Sequence, residues 1–375
     1  MKSLRTTCVH AGTIRDERTR GVNSPIYTST SFAYLDLEEA VYPRYYNIPN
    51  SEALGEKIAA LEGTEKGMVF SSGMAAITSA LFAFLEKGDH AVFQTGLYGG
   101  TFHFVSAELE RFGIECDIAA DNEIRTLESL IRDNTRLIYI ETPSNPLLKI
   151  TDIRETARLA KEYRLVSLID NTFASPVNQT PHTLGIDVVI HSATKYLGGH
   201  SDICAGALAC SAENFLRIRS MARSLGGSLN AQDVYLLERS IKTLVLRVEQ
   251  QNINAGILAE RLSGHPQIDR VYYPGLQDHP GHEIARSQMR GFGGMLSFEP
   301  RDADPVEFQR RLKLIRPSVS LGGLDTIICS PVLTSHRHLN PEEREREEIK
   351  DNLLRLSAGI EDADDLWEDL EQALG

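Results

Sequence analysis

The chain predicts an α/β fold, with a mainly parallel sheet covered by helices on both faces and a smaller C-terminal α/β domain. Short apolar runs alternate with stretches at helical spacing from residue 51 to residue 191, the pattern of repeated βαβ units. The runs are compact and apolar, as in strands buried on both faces. At 375 residues the chain is too long for one small core and suits a large domain plus a smaller one.

Residues 1–44 scatter Thr, Ser, Gly and Pro and read as an irregular arm that buries little of its own surface. Residues 51–63 put Leu54, Ile58 and Leu61 on one helical face. Residues 68–70 read as a short strand and 74–85 as an apolar helix. Residues 91–94 predict a strand and 102–112 a helix. Three more strands are expected at 137–141, 165–169 and 188–191. Ligands of such folds sit at the carboxyl ends of the strands. Glu141, Asp170 and the segment from Ser192 to Lys195 fall just past those ends. Residues 231–262 lack Gly and Pro until Gly256 and predict one long helix bridging into a second domain. The expected division is 1–44, 45–232 and 233–375. Within the last part, 291–299 and 314–331 are strand-like, and 341–357 reads as a charged amphipathic helix whose run from Arg344 to Glu348 faces solvent. Residues 361–372 form a closing helix with Leu366, Trp367 and Leu370 apolar.

Bulk properties narrow the function. A net charge of −13 argues against a nucleic-acid partner, which needs clustered Lys and Arg. No run of about 18 apolar residues suggests a membrane span. Residues 1–20 are polar without an apolar signal core, so cytoplasm is expected. Cys8, Cys116, Cys204, Cys210 and Cys329 are odd in number and lack a C-x-x-C spacing, so buried free thiols are expected rather than disulfides or a zinc site.

The most telling residues lie between Asp170 and Asp202. A carboxylate, Asp170, ends one apolar run. Lys195 follows the next one, with Ser192 and Thr194 beside it and Gly198-Gly199 after it. That layout suits pyridoxal 5'-phosphate (PLP). The lysine amine makes an imine with the cofactor aldehyde, and an acid keeps the pyridine nitrogen protonated so that the ring withdraws electrons. Small hydroxyls beside the lysine can bind phosphate oxygens. A lysine is more often a surface residue, and Asp170-Asn171-Thr172 is also a good turn, but the combined context favours the cofactor. Ser72-Gly73-Met74 opens a helix after a strand, where backbone amides bind phosphate well. The nicotinamide and P-loop signatures do not occur.

These motifs resemble the Cys/Met-metabolism PLP enzymes, on the aspartate-aminotransferase-type fold (fold type I). That family includes cystathionine β-lyase, cystathionine γ-lyase, cystathionine γ-synthase and methionine γ-lyase. The resemblance runs from Pro25 to the C-terminus, with several motifs in matching order. It implies Lys195 as the imine lysine and later acid–base, Asp170 on the pyridine nitrogen, and the Gly73 and Met74 amides with Ser192 and Thr194 on the phosphate. Tyr98 would stack on the ring and take part in catalysis, and Asn145 would contact its phenolic oxygen. Arg355, helped by Ser320 and Asn145, would grip the substrate carboxylate. Tyr42 and Arg44 match a Tyr-x-Arg motif that reaches a neighbouring subunit's cofactor, so the resemblance implies an arm contacting that subunit and a tetramer built from two active dimers. The residues after Arg44 depart from the family pattern. Methionine γ-lyases typically carry cysteine where Gly100 stands, and γ-lyases and γ-synthases often carry glutamate where Val319 stands. Both departures lean toward C–S cleavage of cystathionine or a related thioether, β-elimination slightly ahead of γ, with γ-synthase or acyl-homoserine sulfhydrylase activity as the runner-up. A PLP-fold regulator without catalysis is disfavoured by the joint presence of Lys195, Asp170, Tyr98 and Arg355. His279 with His282, and His336 with His338, are spaced as metal ligands could be, but both pairs lie in polar loops and no metal is expected.

Overall fold

The apolar runs line up as a seven-stranded sheet: β1 (Lys66–Phe70), β2 (His90–Phe93), β3 (Glu115–Ile118), β4 (Thr135–Glu141), β5 (Val166–Asp170), β6 (Val188–His191) and β7 (Gly206–Cys210). Their spatial order is β1-β7-β6-β5-β4-β2-β3. Strand β7 runs antiparallel to both neighbours, and the other pairs are parallel. The computed structural model describes residues 2–301, 304–337 and 340–375. His338 lies outside the described residues.

Alternation along the strands supplies two cores. On β4, Leu137 and Tyr139 pack with Ile77 and Leu81 of the helix Gly73–Phe84. Ile138 and Ile140 point the other way, toward Ile153 and Leu159 of the helix Ile153–Tyr163. A residue period of two on a strand produces this division, and each fully buried aliphatic side chain contributes about 1.5–3 kcal/mol.

A second, five-stranded sheet contains β8 (Ile268–Tyr272), β9 (Met295–Pro300), β10 (Arg316–Pro317), β11 (Ile327–Cys329) and β12 (Leu354–Ser357), in the order β10-β11-β12-β9-β8. Phe298, Leu354 and Leu356 pack there with Leu258 and Leu262 of the helix Leu244–Ser263 and with Leu366 and Leu370 of the helix Ala363–Leu374. No helix among the described residues is long and apolar enough to cross a membrane.

Several expectations need correction. The arm is not wholly irregular: Ser3 caps a helix, Leu4–His10, that buries Cys8 against the rest of the chain. The helix expected over 231–262 is two helices, Ala231–Ile241 and Leu244–Ser263. The carbonyl of Ser240 turns to the Arg247 guanidinium, and tighter bonds from the Lys242 and Thr243 amides break the axis. The helix expected over 102–112 begins earlier, at Gly99–His103, and changes pitch twice before Gly113. The helix expected over 341–357 covers only Pro341–Arg346, started by an Asn340–Glu343 capping box. Glu348 then adopts φ 61°, and Leu354 and Leu356 alternate into the core as strand β12. Its charged run is not simply solvated either, since Glu347 accepts from the Thr95 hydroxyl at 2.7 Å and Glu348 pairs with Lys149 at 2.6 Å. Strands β3, β7 and β8 and the helices Ile153–Tyr163 and Ala212–Leu225 carried no expectation. All five cysteines are free, but only Cys8, Cys210 and Cys329 are buried, and Cys204 is exposed.

Asp369, buried on the closing helix, accepts hydrogen bonds from the amides of Lys313, Leu314 and Ile315 at 2.8, 2.9 and 2.7 Å. Its carboxylate replaces the water those amides lose on burial. Asp369→Ala leaves them unpaired and is expected to cost about 1–3 kcal/mol. Urea unfolding measures this, and an unchanged midpoint would refute the role.

Candidate active site

The carboxyl ends of β4, β5 and β6 come together because the strands are parallel and in register. Glu141 sits opposite Asp170, and Asp170 opposite Ile190. Asp170 accepts from the Thr172 amide at 2.9 Å, and the Thr172 hydroxyl accepts from the Ser192 amide at 2.7 Å. Glu141 accepts from the Tyr98 amide at 2.8 Å. Burial, then the nearby Asp170 carboxylate, push Glu141 well above the usual carboxyl range. Burial also raises Asp170, opposed by its bonds with Thr172 and by the nearby His191.

Lys195 lies in the turn after β6. The turn is closed by the Lys195 amide to Ser192 O, the Gly198 amide to Ala193 O and the Gly199 amide to Lys195 O. Its Nζ donates to Ser320 Oγ at 2.7 Å. Burial first, and the Arg355 cation second, lower this amine to about 8. Ser320 holds φ 86°, a conformation L-residues rarely adopt. Its carbonyl accepts from Arg355 Nη2 at 2.9 Å, while Arg355 Nη1 donates to Asn145 Oδ1 at 2.8 Å. Arg355 is on β12, so the lysine of the large sheet and the arginine of the small sheet meet through Ser320. Arg355 Nε is buried without a partner among the described residues.

The helix Gly73–Phe84 starts beside this group. The Ser72 hydroxyl caps the Ala75 amide, which leaves the first two amides, at Gly73 and Met74, before the helical bonds begin. A Cβ on Gly73 would stand 2.9 Å from the Ser192 Cβ, so helix start and Ser192 share one small cradle. The Thr194 hydroxyl donates to Ala205 O at 3.1 Å and accepts from the Ala205 amide at 2.9 Å, so its proton is committed to the loop. Tyr98 is 48% exposed at the start of the helix Gly99–His103, and its ring and Met74 Sδ converge on Gly100.

Two expected residues are not brought to this group. Tyr42 is exposed and packs edge-on against Tyr45. Arg44 donates to the Arg223 carbonyl and lies over the Tyr45 ring. Within one chain Arg44 is held by the helix Ala212–Leu225 and Tyr42 by Tyr45, and neither has a contact with Lys195 among the described residues. Three of the paired histidines are engaged within the chain. His279 Nδ1 accepts from the Gly281 amide, and burial lowers its imidazole to about 4. His282 Nδ1 is 2.9 Å from Pro274 O, and His336 Nδ1 is 2.9 Å from Ser335 Oγ.

A family model for Cys/Met metabolism PLP-dependent enzymes matches residues 5–375. The chain belongs to that family. It is 42% identical to the cystathionine beta-lyase of Lactococcus lactis subsp. cremoris (strain MG1363), over 100% of this chain and 99% of that protein. It is 43% identical to the cystathionine gamma-lyase of Bacillus subtilis (strain 168), over 99% and 98%. The structure of cystathionine gamma-lyase from Lactobacillus plantarum complexed with L-serine superposes with TM-score 0.96 at 38% identity, over 99% of this chain and 98% of that one.

The cofactor of this PLP-dependent family fits the residues present. No cationic side chain lies within ion-pair distance of Asp170 among the described residues, so a pyridinium N–H would supply the missing partner. The absence of a Cβ on Gly73 lets the free Gly73 and Met74 amides lie beside Ser192, a set of donors that a phosphate group requires. The Lys195 amine is desolvated and hydrogen-bonded to one hydroxyl, which suits covalent attachment. Residues that carried no sequence signal also belong here. Glu62 and His191 form a buried pair at 2.7 Å behind Asp170, joined by Asn171 at 3.1 Å.

The low Lys195 value gives a pH test. A lysine in water holds its proton to about pH 10.4, and burial removes that preference. In cofactor-free protein, amine modification of Lys195 should therefore accelerate as pH rises through about 8. Mass-spectrometric mapping of labelled Lys195 against pH checks this, and a midpoint above 10 would contradict desolvation.

Proposed function

We propose that this chain is a C–S lyase of sulfur amino-acid metabolism, cleaving cystathionine or a related thioether by elimination. The observation that carries the reading is the Lys195–Ser320–Arg355 chain, which puts a desolvated base beside a buried arginine fork. Arg355 would hold the substrate carboxylate, since a planar guanidinium matches it with two donors and the Nε donor has no partner among the described residues. Ser320 and Asn145 fix the fork's orientation. Lys195 Nζ would then take the proton from Cα, helped by a value near neutrality. PLP, when bound, withdraws the electron pair left at Cα and so permits loss of the thiol. Asp170 would hold the pyridine nitrogen, the Gly73 and Met74 amides with Ser192 the phosphate, and Tyr98 the ring face; the Thr194 hydroxyl, bonded to Ala205, would have to release that bond to join them.

β-Elimination is favoured over γ. Val319, 64% exposed next to Ser320, offers no charge to a distal ammonium. A side chain at Gly100 would press on the Tyr98 ring, because a Cβ there falls 2.6 Å from it. The outward placement of Tyr42 and Arg44 supports a site completed between subunits, with the arm of 1–44 serving a neighbour of the domains 45–232 and 233–375, in a tetramer of two active dimers. The free cysteines suit a reducing compartment, and cytoplasm is proposed.

Cystathionine added to PLP-loaded protein should release pyruvate and homocysteine. 2-Oxobutyrate with cysteine would replace β- by γ-cleavage, and neither product would point to γ-replacement chemistry. Lys195→Ala should abolish the visible absorbance of the lysine-bound cofactor, and retention of the band would overturn the assignment. Arg355→Lys should raise KM about 10- to 100-fold while cofactor binding holds, because a point charge replaces a two-pronged clamp. Mixing Arg44→Ala with Lys195→Ala chains should restore part of the activity that neither homomer has, and its complete absence would count against a shared site.

A further inference from the structure

The turn that carries Lys195 is gripped from behind by a cation that does not face the cleft. Arg247 lies on the helix Leu244–Ser263 and is only 4% exposed. No carboxylate lies within ion-pair distance of it among the described residues. The Cys8 thiol near it is pushed up to about 11 by burial and stays neutral. Burial lowers the guanidinium only to about 10, so it remains charged at neutral pH. A buried cation without a carboxylate partner is costly, so its place is accounted for by the groups it bonds.

Arg247 Nη1 donates to Tyr196 O at 2.8 Å, and Nη2 to Ser240 O at 3.0 Å and, more weakly, to Leu197 O at 3.4 Å. Nε donates to Thr243 Oγ1 at 3.3 Å. The Lys195 turn uses the carbonyls of Ser192, Ala193 and Lys195 for its own closure. The next two carbonyls, immediately after Lys195, go to Arg247. Gly199 has φ 68°, and a Cβ there would stand 1.9 Å from Nη1. The second glycine of the Gly198-Gly199 pair is thus the opening through which the guanidinium reaches the turn. Ser240 and Thr243 flank the break between the helices Ala231–Ile241 and Leu244–Ser263, where the chain passes from the large sheet toward the small one.

We propose that Arg247 is a positioning residue for the reaction: it locks the Lys195 turn to the helix break, so that Nζ keeps its place between Ser320 and the cofactor. This rests on Lys195 being the cofactor lysine. Arg247 acts through the backbone of Tyr196 and Leu197 and touches neither substrate nor cofactor.

The test compares PLP-loaded Arg247→Met and Arg247→Lys with wild type and with Asp369→Ala as a destabilised control far from the turn. Arg247→Met should release PLP about tenfold faster. It should also lower kcat about 10- to 100-fold with KM within about twofold, as expected for a misplaced reacting group. Its visible band should titrate at a shifted pH. Arg247→Lys, which keeps the charge but not the fork, should recover only part of each effect and decides the matter if the Met variant does not fold. Wild-type PLP release, kcat and band titration in the folded variants would overturn the proposal. So would changes no larger than those of Asp369→Ala at equal loss of Tm. Retention of the visible band in Lys195→Ala would instead overturn the cofactor-lysine reading itself, independently of Arg247.

Discussion

A hydrogen bond from Lys195 Nζ to Ser320 Oγ joins the two halves of this protein at the proposed active site, beside the bond from Arg355 to Asn145. The lysine is delivered by a strand end of the seven-stranded sheet. The serine lies in the loop between β10 and β11 of the second sheet and passes the link on, through its carbonyl, to Arg355 on β12. Everything else in the site is arranged around that bridge. The strained φ of Ser320 is tolerable because three contacts hold the residue: the lysine, the arginine, and the Gly322 turn anchored on the Ser357 hydroxyl.

Charge is sorted across the cleft. Carboxyls collect at the ends of β4 and β5, where burial raises both Glu141 and Asp170. The cations Lys195 and Arg355 both bond to Ser320, and Arg355 helps to hold Lys195 below its usual value. A zwitterionic amino acid and a cofactor with a cationic ring nitrogen and an anionic phosphate complement this separation. The low dielectric that makes the unpaired groups costly also makes their eventual partners strongly held. The buried Glu62–His191 pair extends the acidic side one layer deeper and ties the helix Pro49–Glu62 to the strand that leads to Lys195.

Much of the fold was legible locally. Strands β1, β2, β4, β5 and β6 were expected within one or two residues at either end, because short apolar runs between helical stretches leave a clear periodicity. The failures have physical causes. Strand β3 carries Glu115 and Asp117 at a sheet edge and lacks an apolar run. Strand β12 was absorbed into a charged helix because Leu354 and Leu356 follow a stretch rich in Glu and Arg, and the chain reverses at Glu348 without a glycine to mark it. The break between the helices Ala231–Ile241 and Leu244–Ser263 has no Gly or Pro; it is marked by the tighter bonds of the Lys242 and Thr243 amides and by Arg247 on the Ser240 carbonyl, contacts that leave no local sequence signal.

By itself the sequence determined the strand-end chemistry: a carboxylate after β5, a lysine after β6, and a small-residue helix start after β1. These follow from local order, because a parallel sheet brings the carboxyl ends of its strands to one edge whatever the loops do. Tertiary structure alone decided which distant groups meet them. Lys195 finds Ser320 across 125 residues, Arg355 finds Asn145 across 210, and Arg247 finds the Tyr196 carbonyl across 51. Such contacts depend on how two sheets dock and on which carbonyls a turn leaves unpaired. Neither leaves a periodic trace in the chain.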